Sequence, residues 1–361
     1  MSTRPASPPP SATAALSTPA RLGDLDLFEA NVAAMAALLE GSGKTVRPHV
    51  KTHRTPELAR RQLGGAAAGI TCATVGEAEA MVAAGLSDVL LANEIVDAAK
   101  LDRLVALASP AGLTVAADDP APLRALSSRA AAAAVEIGVL IDVDVGLHRC
   151  GVGAPAEALA LAALIERSPG LRLAGLMGYE GRLRASVPAR EARIAGAYAR
   201  LAEVRAALLG AGFAVPCVSA AGTSTLLEAL ADPTITEIQA GVYALMEPEL
   251  ADLGLPFACA ARIRGTVVSR HAGRFVVDIG RRAVGVEYGP PVACELAVGT
   301  VTVGDEHTIV TLEGAAPDLG ATVDFIPGQI RTTFNLHDHV WLTRGGRIVD
   351  RWPVSARGGS Q

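Results

Sequence analysis

Thr45-Val46-Arg47-Pro48-His49-Val50-Lys51-Thr52-His53-Arg54-Thr55-Pro56 is the stretch on which the reading of the fold turns. It passes from a short apolar strand, Thr45–Val50, into a helical pattern that begins at Thr55. Lys51 stands at the junction, two residues from His49 and two from His53. Lysines are scarce in this chain (Lys44, Lys51 and Lys100), whereas arginines are many. At the C-terminal end of a barrel strand a lysine is partly dry and sits beside other cations. Both effects depress its pKa and leave an amine free to attack a carbonyl. The ordinary fate of a lysine is a solvated surface, so the rest of the chain must decide.

Outward from this junction the strand–helix alternation repeats. Leu25–Leu39 has helical spacing. Strand-like runs follow at Gly69–Ala73, Val89–Ala92, Leu113–Ala116, Glu136–Val143, Leu173–Met177, Cys217–Ala220 and Thr236–Gln239. Val75–Ala84, Val96–Leu107 and Arg190–Leu209 are the clearest helices between them. Short apolar strands of this kind are buried on both faces, as a parallel sheet requires. About eight β/α units in roughly 240 residues fit a (β/α)8 barrel. A doubly wound sheet is the alternative, but no GxGxxG follows the first strand.

After Cys259 the texture changes. Arg262–Ser269, Arg274–Ile279, Leu296–Val303, His307–Glu313 and His339–Thr343 read as strands between Gly- or Pro-containing turns. The expected fold is therefore α/β, a TIM-like (β/α)8 barrel over residues 21–258 and a C-terminal all-β domain over residues 259–361. Residues 1–20, rich in Ser, Thr, Pro and Ala, read as a disordered tail with no apolar centre of a secretory signal.

Composition limits the function. The chain has 361 residues, half of them hydrophobic, and a net charge of −5. Such a charge gives no footprint for nucleic acid. No run approaches the roughly 18 apolar residues of a membrane span. Five scattered cysteines without CxxC spacing read as reduced thiols of a cytoplasmic protein.

Three further motifs carry chemistry. Ser219-Ala220-Ala221-Gly222-Thr223-Ser224-Thr225 follows the seventh strand and opens a helix. Its small residues let backbone N–H groups approach a phosphate. Gln239-Ala240-Gly241-Val242-Tyr243 is the next such loop, and on a barrel these two positions often bind phosphate. Arg149, in Asp142-Val143-Asp144-Val145-Gly146-Leu147-His148-Arg149, suits a cofactor oxygen or a substrate carboxylate, or else an ion pair with Asp142 or Asp144. Tyr179, in Gly178-Tyr179-Glu180-Gly181, suits a hydrogen bond to a cofactor or a proton transfer. A lysine after the first strand and phosphate loops after the last two describe a site for a phosphorylated aldehyde. Pyridoxal 5'-phosphate is the commonest such partner of a lysine.

Together RPHVKTH, IDVDVGLHRCGV, GLMGYEG, SAAGTST, EIQAGVY, DEH and NLHDHVWL resemble the D-threonine aldolase and D-serine dehydratase group, with the alanine racemase-like fold of pyridoxal phosphate enzymes. The resemblance runs from about residue 22 to 358. It implies that Lys51 joins the cofactor's aldehyde and that His49, Ser219, Gly222, Thr223, Gly241, Val242 and Tyr243 surround the cofactor. It places Arg149 and Tyr179 near the ring and substrate. It also implies a small amino-acid substrate and a homodimer.

One departure stands out. Members of the group usually hold a divalent metal through a histidine and a second ligand two residues later. Here Gln329 stands at the histidine position and Arg331 at the second, in Pro327-Gly328-Gln329-Ile330-Arg331. An arginine cannot ligate a metal, and its fixed charge opposes one nearby. The usual metal site is expected to be absent, with Arg331 binding a second carboxylate or the β-oxygen of the substrate. His337 and His339, on one face if the segment is a strand, are the replacement ligands to consider.

The expected activity is retro-aldol cleavage of a D-configured β-hydroxy-α-amino acid, with Lys51, Tyr179 and Arg331 as catalytic residues. The competing readings are a racemase using Tyr179, Tyr243 or Tyr288 as second acid, a β-eliminating dehydratase, and a non-catalytic cofactor-binding protein.

Overall fold

A computed structural model describes residues 16–64 and 67–361; most of the expected tail, residues 1–15, lies outside the described residues. In chain order the first elements are β1 (Ala20–Asp24), α1 (Leu25–Leu39), β2 (Thr45–Val46), α2 (Pro56–Leu63), β3 (Ile70–Cys72), α3 (Val75–Ala83), β4 (Asp88–Leu91), α4 (Ala98–Ala108) and β5 (Gly112–Ala117). Then come α5 (Pro120–Ala132), β6 (Ile137–Asp142), α6 (Pro155–Glu166), β7 (Leu171–Gly178), α7 (Arg190–Gly210), β8 (Cys217–Ala220), α8 (Leu226–Ala231) and β9 (Glu237–Ile238). The remainder is mostly strand: β10 (Ala261–His271), β11 (Arg274–Val277), β12 (Val292–Ala293), β13 (Val301–Val303), β14 (Thr308–Thr311), β15 (Thr322–Ile326), α9 (Ile330–Asn335), β16 (His339–Arg344) and β17 (Arg347–Pro353). These residues fall into two compact units.

One unit comprises residues 36–51, 58–241 and 358–361. Its eight strands pair in parallel in the order β2-β9-β8-β7-β6-β5-β4-β3. Parallel bridges Val46↔Ala67 and His49↔Thr71 join the two ends, so the sheet closes into the expected barrel. β6, Ile-Gly-Val-Leu-Ile-Asp, is buried at every position. Leu90, Ala116, Leu140, Ala174 and Met177 pack together as a core cluster from β4, β5, β6 and β7, as a filled barrel interior demands. The helices start where side chains replace missing hydrogen bonds. Thr74 accepts the Glu77 N–H at 3.1 Å, Asp97 that of Lys100 at 3.0 Å, and Asp119 that of Ala121 at 2.7 Å, with Pro120 following it.

The structure departs from the expected elements of this unit at several points. The expected strand Thr45–Val50 is cut to Thr45–Val46, because Pro48 has no N–H for a ladder. His49 then keeps a single bridge to Thr71, and Val50–Thr52 is a 3-10 turn. The expected helix from Val96 begins at Ala98, since Asp97 is its cap and Val96 is 72% exposed. β7 carries an extra residue opposite β6, where Leu173 pairs with Val139 but Gly175 with Leu140. Gly175 takes φ +135°, and any side chain there would collide with the Cys217 carbonyl.

The other unit holds the described residues up to Met35, residues 52–57 and residues 242–357. Its nine-stranded sheet runs β13-β14-β11-β10-β1-β16-β17, with β15 on β10 and β12 on β15. Along β10 buried and half-buried positions alternate from Ala261 to Val267. Ile263, Val267, Phe275, Val277, Val310 and Phe325 make its core. The expected strand Leu296–Val303 shrinks to Val301–Val303. β1 was not expected at all: it pairs antiparallel with β10 and parallel with β16. Among the described residues no helix is long and apolar enough to cross a membrane.

Candidate active site

Parallel strands put all their C-terminal ends on one face of a barrel, and the residues singled out above follow those ends. Lys51 lies in the turn Val50–Thr52 beyond β2. Its Nζ is 6.0 Å from the centre of the Tyr179 ring, beyond β7. The Arg149 guanidinium, beyond β6, is 5.7 Å from the same ring. Beyond β8, a side chain on Gly222 would come within 3.6 Å of the Tyr179 ring edge. One aromatic ring thus gathers an amine, a guanidinium and a bare backbone turn. Thr223, next in the chain, is buried. His49 is buried too, and its N–H donates to the Ala240 carbonyl, just before Gly241, at 3.3 Å.

Ser219 departs from the expectation. It is fully buried, its hydroxyl donates to Glu237 at 2.6 Å and accepts from Gln239 at 3.0 Å. Glu237 also holds Arg47 at 2.7 Å. The Ser219 hydroxyl is therefore spent inside the barrel. Val242 and Tyr243 continue from Gly241 as a 3-10 turn that belongs to the other unit, where the Tyr243 ring is 5.5 Å from that of Phe257.

Two acidic groupings flank these strand ends, and neither was singled out from sequence. Asp142 is 4% exposed; burial, and then the neighbouring Glu94, push its pKa up to about 8. Asp142 therefore keeps its proton at neutral pH. Glu94, Asp118 and Cys150 bring potential ligand atoms within 4.8 Å of one another. Asp118 already accepts the Gly151 N–H at 2.8 Å, and burial pushes the Cys150 thiol up to about 11. The charge of Arg149 acts on Asp142, opposing the upward push of burial. Asp144 instead accepts from the His148 ring at 2.9 Å and from the Gly146 and His148 N–H groups. The second grouping is Glu180 with Thr225, whose hydroxyl donates to Glu180 Oε1. Burial pushes Glu180 up to about 7 against that hydrogen bond.

A phosphorylated aldehyde suits this arrangement. Ala221 sits at φ +66° and His148 at φ +55°, strained for residues with a side chain. Such strain collects where a loop must present its backbone to a ligand. Ala221 precedes Gly222, and His148 precedes Arg149. The amine, the guanidinium, the aromatic ring and the small-residue turn match an aldehyde carbon, a ring oxygen, a ring face and a phosphate.

A divalent metal at Gln329 and Arg331 does not suit the residues present. Gln329 Oε1 accepts the Thr332 N–H at 3.0 Å and so caps α9. Arg331 donates to the Tyr288 hydroxyl at 2.9 Å, with its guanidinium 5.4 Å from that ring. Nor do His337 and His339 form a strand-face pair. His337 precedes β16, and its Nε2 bonds the Ala283 carbonyl at 2.7 Å. Burial lowers its pKa to about 4.

Comparison with known proteins identifies the family. The family model "Alanine racemase, N-terminal domain" matches residues 23–247, and a domain model named for serine dehydratase matches residues 260–343. A D-threonine aldolase from Arthrobacter sp is 39% identical, over 96% of this chain and 94% of that one. A 3-hydroxy-D-aspartate aldolase from Paracoccus denitrificans (strain Pd 1222) is 33% identical, over 95% and 92%. The crystal structure of D-threonine aldolase from Filomicrobium marinum superposes with a TM-score of 0.93 at 36% identity, covering 97% of this chain and 98% of that one. The chain belongs to the alanine racemase-like family of pyridoxal phosphate enzymes, in the group that includes these D-threonine and 3-hydroxy-D-aspartate aldolases.

Proposed function

We propose that this protein is a pyridoxal 5'-phosphate-dependent lyase that cleaves the Cα–Cβ bond of D-configured β-hydroxy-α-amino acids to glycine and an aldehyde. The convergence of Lys51, Arg149 and Gly222 on the Tyr179 ring carries the reading. Bound, the cofactor supplies an electron sink that stabilises negative charge at Cα. Lys51 Nζ is the amine that holds the cofactor's aldehyde carbon. The backbone at Gly222, Thr223 and Gly241 receives the phosphate, with His49, Val242 and Tyr243 completing the surroundings. Arg149 holds a cofactor oxygen or the substrate carboxylate, and its fixed charge keeps that group ionised. Tyr179 orients the ring with its face; its oxygen, as phenolate, or a histidine takes the proton from the substrate β-hydroxyl, and a proton is returned to Cα to give glycine.

Arg331 takes the part that a metal plays elsewhere in the group, donating hydrogen bonds to the β-oxygen or to a second carboxylate. The geometry at Gln329 and Arg331 supports a reaction that needs no divalent ion. A homodimer and a cytoplasmic location belong to the same proposal.

The test is incubation with D-threonine, D-phenylserine and D-3-hydroxyaspartate, each with and without EDTA. Glycine and the matching aldehyde are expected in both conditions. Solvent deuterium at Cα with loss of optical purity would instead mark a racemase, and ammonia with a keto acid a dehydratase. No product from any of these substrates would end the reading.

A further inference from the structure

Glu180 follows Tyr179 directly and is 4% exposed. Its Oε1 accepts the Thr225 hydroxyl, while Oε2 has no hydrogen-bond partner among the described residues. The Thr225 hydroxyl oxygen in turn accepts the Gly222 N–H at 3.2 Å. The Thr225 carbonyl accepts from the Tyr198 hydroxyl at 3.4 Å. From the loop's other side Arg190 donates to the Ser224 carbonyl at 2.5 Å and to Glu228. A buried carboxyl with one oxygen unbonded is costly, and a leucine would fill the same space without that penalty. The bond from the Thr225 hydroxyl joins the end of β7 to the turn at Gly222–Thr225.

We infer that Glu180 is a positioning residue, which through Thr225 locks the Gly222–Thr225 turn to Tyr179 so that the phosphate seat and the ring face are held at one fixed spacing. The inference rests on the cofactor reading above. A clamp of this kind acts on the phosphate end of the ligand, which separates it from a general support of the fold.

The experiment titrates apoprotein with two probes, pyridoxal 5'-phosphate and pyridoxal, following the absorbance of the bound aldehyde. The proteins are the parent, Glu180→Ala, Glu180→Gln, Thr225→Val and the double variant Glu180→Ala/Thr225→Val, each checked by circular dichroism. Loss of the clamp is expected to weaken pyridoxal 5'-phosphate by about tenfold or more, the scale of one buried hydrogen bond to a carboxylate. Pyridoxal should change by less than about threefold. Glu180→Gln, which can still accept the Thr225 hydroxyl, should restore binding, and the double variant should be no worse than either single one. Should Glu180→Ala fail to fold, Thr225→Val carries the same comparison. Equal weakening of both probes, or parent-like binding by Glu180→Ala and Thr225→Val, would overturn the clamp while leaving the cofactor reading intact. A parent protein that binds neither probe would overturn both.

Discussion

Lys51 and Asp142 are ionisable residues whose surroundings matter more than their identity. For Lys51 the surroundings were partly legible: few lysines, a strand end and flanking histidines pointed to an amine used for chemistry. Lys51→Ala is expected to remove the absorbance near about 420 nm that a lysine-bound cofactor gives, and with it the aldehyde-forming activity. A variant that kept both would exclude the residue. Asp142 was legible only as a possible partner of Arg149. Nothing in IDVDVG tells which of two aspartates is buried against Glu94 and which lies in an exposed turn with His148. The consequence is a pH effect with a definite sign. Between about pH 4 and pH 8 the folded chain keeps a proton at Asp142 that the unfolded chain releases. Stability therefore falls as pH rises through that window, by no more than about 1.4 kcal/mol per unit. Asp142→Asn keeps a neutral donor toward Glu94 and removes the slope. Its Tm relative to the parent should climb between about pH 5 and pH 8, and a constant difference would sink the assignment.

At the scale of elements, apolar runs bounded by helical spacing located most of the barrel strands, because parallel strands must be buried on both faces. The reading failed where one residue overrides the pattern. Pro48 ends β2 after two residues, and Asp97 delays α4. The bulge in β7 left no mark except a glycine. Gly175→Ala has to fit a side chain into the space of the Cys217 carbonyl at a left-handed φ. It is expected to lower stability by about 3 kcal/mol or more, read as a shift of the urea midpoint. α9 shows the opposite case, in which a motif was legible but its local structure was not. Gln329 reads as a lost ligand in sequence, whereas its side chain caps the helix. Gln329→Ala should cost about 1 kcal/mol by the same measurement.

For the whole molecule, the arrangement of a barrel unit and a β unit was visible in the change of texture after Cys259. The contribution of the chain's early residues to the β unit was not. If Arg331 has taken over from a metal, prolonged dialysis against EDTA should leave both turnover and Tm unchanged. Cofactor at about a hundred times its dissociation constant should add about 2.7 kcal/mol to stability by mass action. A fall in turnover on chelation, reversed by manganese, would restore a metal to the account.

β1 was missed because Ala20–Asp24 is five residues without alternation and its partners lie some 240 and some 320 positions downstream. That separation sets a timetable for biosynthesis. The strand leaves the ribosome well before β10 and β16, between which it sits. Until β10 is made, the nascent chain carries β1 without either of its native partners. The late-made sheet can close only by threading its first-made member into the middle.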